Sequence, residues 1–298
     1  MRFLFVDRIL ELSPGRLIRG IKHVTQDDFY LTCGDDGRPN FIPSLIGETL
    51  GQLAAWNVMC TNDFTMRPVA GIVSSAHLLR PVHVGDTIQL ESTIDSLDES
   101  SVRYHSSAYV GSDEVFRIDS ALGPMLPMGD FIDNETIRHQ FNEIYRPGEH
   151  TVEIGDGTMH ADDENGFIYK TKMVFDKIID CVPGQSMVAE KLVSRSAPYF
   201  PDHFPRKPVL PMTVLLECKI NLAKAFINRS NLDVNFEKCE MHRIKMSDFV
   251  LPGDSLITHL QVKRHDDDGL VLNFRSELDG KRVCVLDVVL PNSRKNHD

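Results

Sequence analysis

Residues 3–25 read FLFVDRILELSPGRLIRGIKHVT, and residues 172–194 read KMVFDKIIDCVPGQSMVAEKLVS. The two stretches align at a constant offset of 169 residues, the difference between 172 and 3, and the offset continues well beyond them. The matched pairs are Asp7 with Asp176, Pro14 with Pro183, Gly15 with Gly184, Pro39 with Pro208 and Glu48 with Glu217. The chain is therefore a tandem duplication, and its repeat unit has the size of a domain rather than of a solenoid repeat.

Each half shows the same order of elements. Two β-rich runs flank a Pro-Gly turn, where proline presets φ and glycine accepts a positive φ. One apolar helix follows, predicted at Ser44–Met59 and at Met212–Asn228, and its apolar circumference indicates burial. The predicted strands after the helices are Asp86–Ile94, Val102–Val110, Val115–Leu122, Asp254–Val262, Leu270–Ser276 and Arg282–Leu290. We expect an α+β fold in which an antiparallel sheet wraps around one helix in each half.

The duplication also sets the expected domain boundaries. We predict an N-terminal domain at residues 1–130 and a C-terminal domain at residues 166–298, joined by a linker at residues 131–165. The linker contains a polar helical piece, Asn134–Tyr145, and a turn-rich segment that includes Gly155 and Gly157.

Composition and charge narrow the functional classes. The 298 residues are 42% hydrophobic and 25% charged, which is typical of a globular protein with room for two domains. The net charge of −11 disfavours a nucleic-acid partner, because phosphate binding requires a basic face. No apolar run approaches the roughly 20 residues that span a bilayer, and Asp7 interrupts any signal-peptide core at the start. We expect a cytoplasmic protein with no membrane partner.

The six cysteines carry no spacing signal. They form neither a CxxC pair nor a Cys/His cluster, so the sequence predicts no metal site. In a chain of this length, free thiols are favoured over three disulfides.

A motif in the second half points to a known family. Residues 199–217 read YFPDHFPRKPVLPMTVLLE, which resembles the HFPxxPxxPGxxxxE signature of the hotdog 3-hydroxyacyl-acyl-carrier-protein dehydratases, the FabZ and FabA-like proteins. The opening FLFVDRILELSPG resembles the start of that family, and Glu48 and Gln52 match its Glu-x-x-x-Gln helix motif. The resemblance covers nearly all of both halves except the linker. It implies a double hotdog, with two tandem hotdog domains.

The resemblance also implies where the chemistry lies. Members of the family are dimers in which each active site takes its histidine from one subunit and its acidic residue from the neighbouring helix. A fused chain is expected to reproduce this pairing with His203 and Glu48. At the offset of 169, His203 corresponds to Gly34, so we expect the second site, around Glu217, to be inactive.

Dehydration of a 3-hydroxyacyl thioester needs a base at C2, an acid for the departing hydroxyl and a donor for the enolate-like oxygen. Histidine suits the first role because it titrates near neutrality. Glu48 can give its proton to the hydroxyl only where burial favours the protonated acid. The resemblance assigns the oxyanion donor to the backbone N–H of Met212, where the family usually has glycine, at a helix N-terminus. The expected substrate contacts are Gln52, Val209 and Pro211.

Basic residues gather near the expected mouth of the site. They are Arg206, Lys207, Lys219, Lys224 and Arg229. Arg206 and Lys207 are the candidates for binding an acyl carrier protein, or the phosphate of a phosphopantetheine or coenzyme A thioester. Ordinary solvated helix charge explains the same pattern equally well.

We therefore expect a hydro-lyase that forms trans-2-enoyl thioesters in fatty-acid or polyketide-type synthesis and needs no cofactor or metal. Two alternatives stay open. A hotdog acyl thioesterase would use the carboxylate to activate water, and a catalytically silent subunit would only bind acyl chains or a carrier protein. The sequence also leaves open whether two such chains form a homodimer.

Overall fold

A computed structural model describes residues 2–34, 36–149, 172–236 and 238–292 of the chain. The described helices are α1 (Pro43–Thr61), α2 (Asn134–Ile144) and α3 (Met212–Ser230), with a 3-10 turn at Met128–Asp130. The described strands are β1 (Arg8–Ser13), β2 (Leu17–His23), β3 (Leu31–Cys33), β4 (Pro39–Phe41), β5 (Met66–Pro68), β6 (Ile72–Leu78), β7 (Thr87–Leu97), β8 (Ser101–Val110), β9 (Asp113–Pro127), β10 (Lys177–Val182), β11 (Ser186–Leu192), β12 (Cys239–Met246), β13 (Ser255–Asp266), β14 (Gly269–Leu278) and β15 (Lys281–Leu290).

One antiparallel sheet runs through both halves. Its order is β1-β2-β7-β8-β9-β6 in the first half, and the second half continues as β12-β15-β14-β13-β11-β10. The second order is the first one reversed, with each strand replaced by its counterpart in the duplicated unit. Strands β6 and β12 pair at the junction, β5 adds to β9, and β3 pairs with β4 in a separate hairpin. The two halves are therefore related by a pseudo-twofold axis, and the predicted double hotdog architecture is confirmed.

The long helices α1 and α3 lie against this sheet and contact each other. Both are buried along most of their length, as their apolar circumference predicts. They start within one residue of the predicted positions and extend two residues further at their C-terminal ends. In the described part of the chain, neither these helices nor α2 is both long and apolar enough to cross a membrane.

The repeated aspartates fix the edge hairpin of each half. Asp7 accepts a hydrogen bond from the backbone N–H of His23 through Oδ2, at 2.6 Å. Asp176 does the same for the N–H of Leu192, at 2.7 Å. The repetition of this residue in sequence thus reflects one structural task, which is to hold the end of the second strand against the start of the first.

Part of the predicted linker packs on the first half. Helix α2 matches the predicted polar helical piece, and it buries Phe141 against Trp56, with 6.0 Å between ring centres. The turn-rich segment with Gly155 and Gly157 lies outside the described residues. The domain boundaries at residues 130 and 166 stay predictions.

All six cysteines are free thiols. Cys218, Cys239 and Cys284 are buried, and burial raises the pKa of Cys218 and of Cys239 to about 12. At neutral pH these two thiols are protonated and act as small apolar packing groups.

The turn between β1 and β2 is held by a side chain of α1. Asn57 is fully buried, and its Oδ1 accepts a hydrogen bond from the N–H of Gly15 at 2.7 Å. Its Nδ2 donates to the carbonyl oxygens of Ser13 at 3.0 Å and Leu17 at 2.9 Å. Gly15 has a φ of +67°, which favours glycine, so the turn is specified both by its own residue and by the helix beneath it.

We expect Asn57→Ala to lower the free energy of unfolding by about 1–3 kcal/mol, because it leaves buried donors and acceptors of the turn without partners. Ser230→Ala is the matched control, since the Ser230 hydroxyl accepts only the N–H of Gly184 at the equivalent turn. Its cost should be about 0.5–1.5 kcal/mol, the net value of one hydrogen bond. Urea unfolding of the three proteins measures both values, and equal losses would contradict the assignment.

Candidate active site

A cavity of about 180 Å³ lies between the two halves. Helices α1, α2 and α3 contribute to its wall, and the seam strands β6 and β12 contribute Val73, Ala76, Met241 and Ile244. Most of the lining is apolar. The ionisable side chains that line the wall include Glu48 and His203, which the sequence predicts as site residues. They also include Arg67, which it does not predict.

His203 lies in the loop before α3, and its hydrogen bonding fixes which nitrogen is free. Nδ1 is 3.0 Å from the carbonyl oxygen of Val209. Because a carbonyl oxygen can only accept, Nδ1 carries the proton and Nε2 is left as a bare acceptor. The ring stacks on Phe204 and meets Phe3 edge-on, with ring centres 4.1 Å and 5.9 Å away. Burial lowers the pKa of His203, although the nearby Glu48 charge opposes this, so the neutral base is favoured.

Glu48 comes from the other half, on α1. Its Oε2 accepts a hydrogen bond from the Thr213 hydroxyl at 2.7 Å, and its Oε1 accepts one from the Gln52 amide at 3.0 Å. Gln52 also donates to the carbonyl of Phe3 and accepts from the N–H of Phe5, so its orientation is fixed by the N-terminal segment. The sequence did not single out Thr213. Its only signal was its position on the first turn of the helix that follows the histidine motif.

The N-terminus of α3 lies at the wall of this cavity. The helix begins at Met212, its N-cap residue Pro211 makes no side-chain cap, and Met212 and Thr213 both line the cavity. The first N–H groups of a helix have no intrahelical partner and carry the positive end of its dipole. Val209 also lines the cavity, whereas Pro211 is buried at the helix start.

Arg67 was not found from the sequence. It lies on β5, and its guanidinium carbon is 3.8 Å from the ring centre of Phe204 and 5.4 Å from that of Phe131. Its Nε atom is buried and makes no hydrogen bond. Burial lowers the pKa of Arg67 to about 10, partly offset by the Glu48 charge, so the side chain stays cationic at neutral pH. Arg67 belongs to no sequence motif and lies in a short strand, so nothing in the sequence marks it as a site residue.

The equivalent position in the other half is occupied by Glu217. Its Oε2 accepts the N–H of Ser44 at 3.3 Å, and Asn221 donates to its Oε1 at 3.5 Å. The side chain is almost completely buried, and burial raises the pKa of Glu217. These contacts copy the Glu48 arrangement across the pseudo-twofold axis, but they belong to a packed interior.

Two further groups are missing from this second position. At the offset of 169, the counterpart of His203 is Gly34, which lies in the turn of the β3–β4 hairpin. The counterpart of Met212 is Pro43, and proline has no backbone N–H to offer. The second position therefore has no counterpart of the histidine or of the helix N–H that the sequence predicts as the base and the oxyanion donor.

The predicted basic residues do not all lie together. Arg206 is exposed, and Lys207 Nζ is 4.5 Å from the ring centre of Phe249, a residue of the cavity wall. Lys219, in contrast, is fully buried, with Nζ 3.0 Å from Cys284 Sγ. Its inclusion in a surface patch was wrong, because that position of α3 faces the sheet rather than the solvent.

Solved structures share this fold. An acyl-ACP thioesterase from Bacteroides thetaiotaomicron aligns with a TM-score of 0.53 and 12% identity, over 92% of this chain and 97% of that one. A MaoC-like dehydratase aligns with a TM-score of 0.51 and 10% identity, over 94% and 98% of the two chains. At these identities the likeness shows the hotdog fold alone.

Similarity in sequence is more specific. The FabA-like domain family matches residues 170–287. The 3-hydroxyacyl-acyl-carrier-protein dehydratase FabZ of Wolbachia pipientis subsp. Culex pipiens is 32% identical over 114 residues, which are 38% of this chain and 80% of that protein. Together with the fold, these matches show that the chain belongs to the hotdog-fold 3-hydroxyacyl-acyl-carrier-protein dehydratase family.

Proposed function

We propose that the chain is a hydro-lyase that converts 3-hydroxyacyl thioesters to trans-2-enoyl thioesters, with His203 and Glu48 as its catalytic pair. The observation that carries the proposal is that these two side chains, from opposite halves of the duplication, line one cavity. A base and an acid must reach adjacent carbons of one small substrate, so a shared enclosure is the first requirement of the reaction.

The proposed step balances in protons when His203 enters it neutral and Glu48 enters it protonated. The free Nε2 of His203 removes the proton from C2 and becomes positively charged. The protonated Glu48 gives its proton to the C3 hydroxyl, which leaves as water while the C2–C3 double bond forms. The N–H of Met212 stabilises the charge that develops on the thioester oxygen. Return of one proton from His203 to Glu48 restores the starting state.

Three neighbours position these groups. The Val209 carbonyl holds the histidine in the tautomer with Nε2 free, as a hydrogen-bonded partner usually does. Gln52 and Thr213 each bind one oxygen of Glu48, which limits the directions in which its proton can be delivered. Pro211 fixes φ at the residue immediately before α3 and so restricts how the chain enters the helix.

The carrier is an acyl carrier protein or coenzyme A, and the setting is fatty-acid or polyketide-type synthesis. The family relatives are named for acyl-carrier-protein substrates. Lys207 lies over Phe249 of the cavity wall and Arg206 is its exposed neighbour in sequence, so the two are candidates to receive the phosphate of the thioester arm.

We expect His203→Ala and Glu48→Gln each to lower kcat by about 100- to 10 000-fold, the usual contribution of a positioned acid or base. The control is Glu217→Gln, which changes the counterpart of Glu48 outside the cavity and should keep kcat within about twofold of wild type. The measurement is enoyl product formed from a 3-hydroxyacyl pantetheine thioester, separated by chromatography.

The same assay separates the alternatives. Release of free pantetheine without enoyl product would identify a thioesterase. Neither product, with the substrate still bound, would identify an acyl-binding subunit. Either result would overturn the dehydratase proposal, as would a large loss of activity in Glu217→Gln with full activity in Glu48→Gln.

The pH dependence should report the buried histidine. His203 must be neutral to accept the C2 proton, and burial lowers its pKa, so activity persists to lower pH than for an exposed histidine. We expect the acidic limb of kcat/KM to have its midpoint below the ordinary histidine value of 6.5. A midpoint above 6.5, measured between pH 4.5 and 8, would rule out a neutral buried His203 as the base.

We expect Gly34→His, made in the His203→Ala background, to restore no activity. A Cβ at Gly34 would lie 2.4 Å from Asn40 Nδ2 and 2.6 Å from Asp36 Oδ1, so these side chains would have to move to admit an imidazole. Pro43 would still offer no oxyanion donor. Recovery of enoyl product in the double variant would show that the second position is a complete site lacking only its histidine.

A further inference from the structure

Arg67 brings an unpaired positive charge to the cavity wall. No hydrogen bond or ion pair involves its guanidinium among the described residues, and its neighbours are the faces of Phe204 and Phe131. The nearest opposite charge that influences it is Glu48, whose two oxygens are already bound by Thr213 and Gln52. Its buried Nε donor has no acceptor among the described residues, so a ligand that supplies one gains binding free energy.

The stacking fixes how the guanidinium can be approached. With one face against Phe204, its N–H donors point outward in the plane of the group, where a carboxylate can accept two of them side by side. A neutral apolar chain would leave these donors without acceptors. The chemistry therefore favours an anionic oxygen pair over a methyl-terminated chain.

The distance to the catalytic histidine limits where that anion sits. Phe204 stacks between the two groups, at 4.1 Å from the His203 ring centre and 3.8 Å from the Arg67 guanidinium carbon. The guanidinium carbon therefore lies within about 8 Å of the imidazole centre. An extended chain advances roughly 1.2 Å per bond, so the anion is about six bonds or fewer from C2.

The cavity volume agrees with a short ligand. A cavity of about 150 Å³ holds one benzene ring, so the 180 Å³ available here suits an acyl group of few heavy atoms.

We propose that Arg67 binds a carboxylate at the far end of a short acyl chain, so that the substrates of this site are 3-hydroxyacyl thioesters with a terminal carboxylate. Only one part of this proposal, that the acyl chain carries a 3-hydroxyl group, rests on the proposed dehydratase function. Recognition of the carboxylate follows from Arg67 and the cavity.

The phosphate of the carrier arm is the other anion available to an arginine. About thirteen bonds separate that phosphate from the thioester sulfur, which is roughly 16 Å in extended form. With the thioester at His203, the phosphate lies well beyond Arg67. The geometry therefore favours the acyl carboxylate as the anion that Arg67 binds, and the test below distinguishes it from the carrier phosphate.

The direct test is to measure, by calorimetry, the binding of thioesters that have no 3-hydroxyl group and so cannot be dehydrated. Adipoyl pantetheine carries the carboxylate and hexanoyl pantetheine is its neutral match, while hexanoyl phosphopantetheine carries only the phosphate. A hydrogen bond to a charged group contributes about 1.5–3 kcal/mol, so Arg67→Met should weaken adipoyl pantetheine roughly 10- to 100-fold relative to hexanoyl pantetheine.

Arg138→Met is the control, because Arg138 also lies over an aromatic ring, Phe64 at 5.0 Å, but it is paired with Asp63 and lies outside the cavity wall. It should leave the ratio of the two affinities unchanged. Arg67→Lys keeps the positive charge but loses the paired N–H donors of the guanidinium, so its affinity ratio should lie between those of wild type and Arg67→Met. This variant also tests the proposal if Arg67→Met does not fold.

Three results would overturn the assignment of Arg67. They are an unchanged affinity ratio in Arg67→Met and Arg67→Lys, an equal loss in Arg138→Met, or a loss that appears only with hexanoyl phosphopantetheine. Turnover is measured separately with 3-hydroxyadipoyl and 3-hydroxyhexanoyl pantetheine. If the binding preference depends on Arg67 but neither hydroxyacyl substrate yields enoyl product, the carboxylate site stands and the dehydratase function fails.

Discussion

The pairing of β6 with β12 is the constraint on which the rest of the structure depends. Their antiparallel register joins two half-sheets into one and places Met241 opposite Ala76 and Ile244 opposite Val73. These four side chains also line the cavity, so the seam between the halves is the floor of the site. Because the sheet is continuous, α1 and α3 lie side by side, and Glu48 of one repeat lines the same cavity as His203 of the other.

The duplication allows the two halves to differ in sequence, which a symmetric dimer of identical chains does not allow. In a homodimer every substitution appears in both active sites, whereas here each position can change alone. Gly34 and Pro43 are examples, because they stand in the turn and at the helix start where the other half has His203 and Met212. Glu217 persists there as a buried acid with hydrogen bonds to Ser44 and Asn221.

The sequence predicted much of the fold, because its signals are local. Helix burial and the strands after each helix follow from periodicity, and the Pro-Gly turns follow from residue conformation, as the φ of +67° at Gly15 confirms. The seam strands were not predicted: IVSSAHL and CEMHRIKM are rich in small or charged residues, and only their pairing with each other makes them central. For the same reason Arg67 and Thr213 were missed, since they approach Glu48 only through the tertiary fold. Lys219 was misplaced because a lysine in a buried helix looks like a surface residue in sequence.

The helix between the repeats has a consequence for how this protein can diversify. Ile137 and Gln140 of α2 form part of the cavity wall, although α2 belongs to neither repeated unit. Two separate hotdog chains would have no such joining segment, so fusion adds material to the binding enclosure as well as fixing the ratio of the halves. Acyl selectivity can therefore drift through mutations in the connector, while Glu48, His203 and the helices α1 and α3 are left untouched.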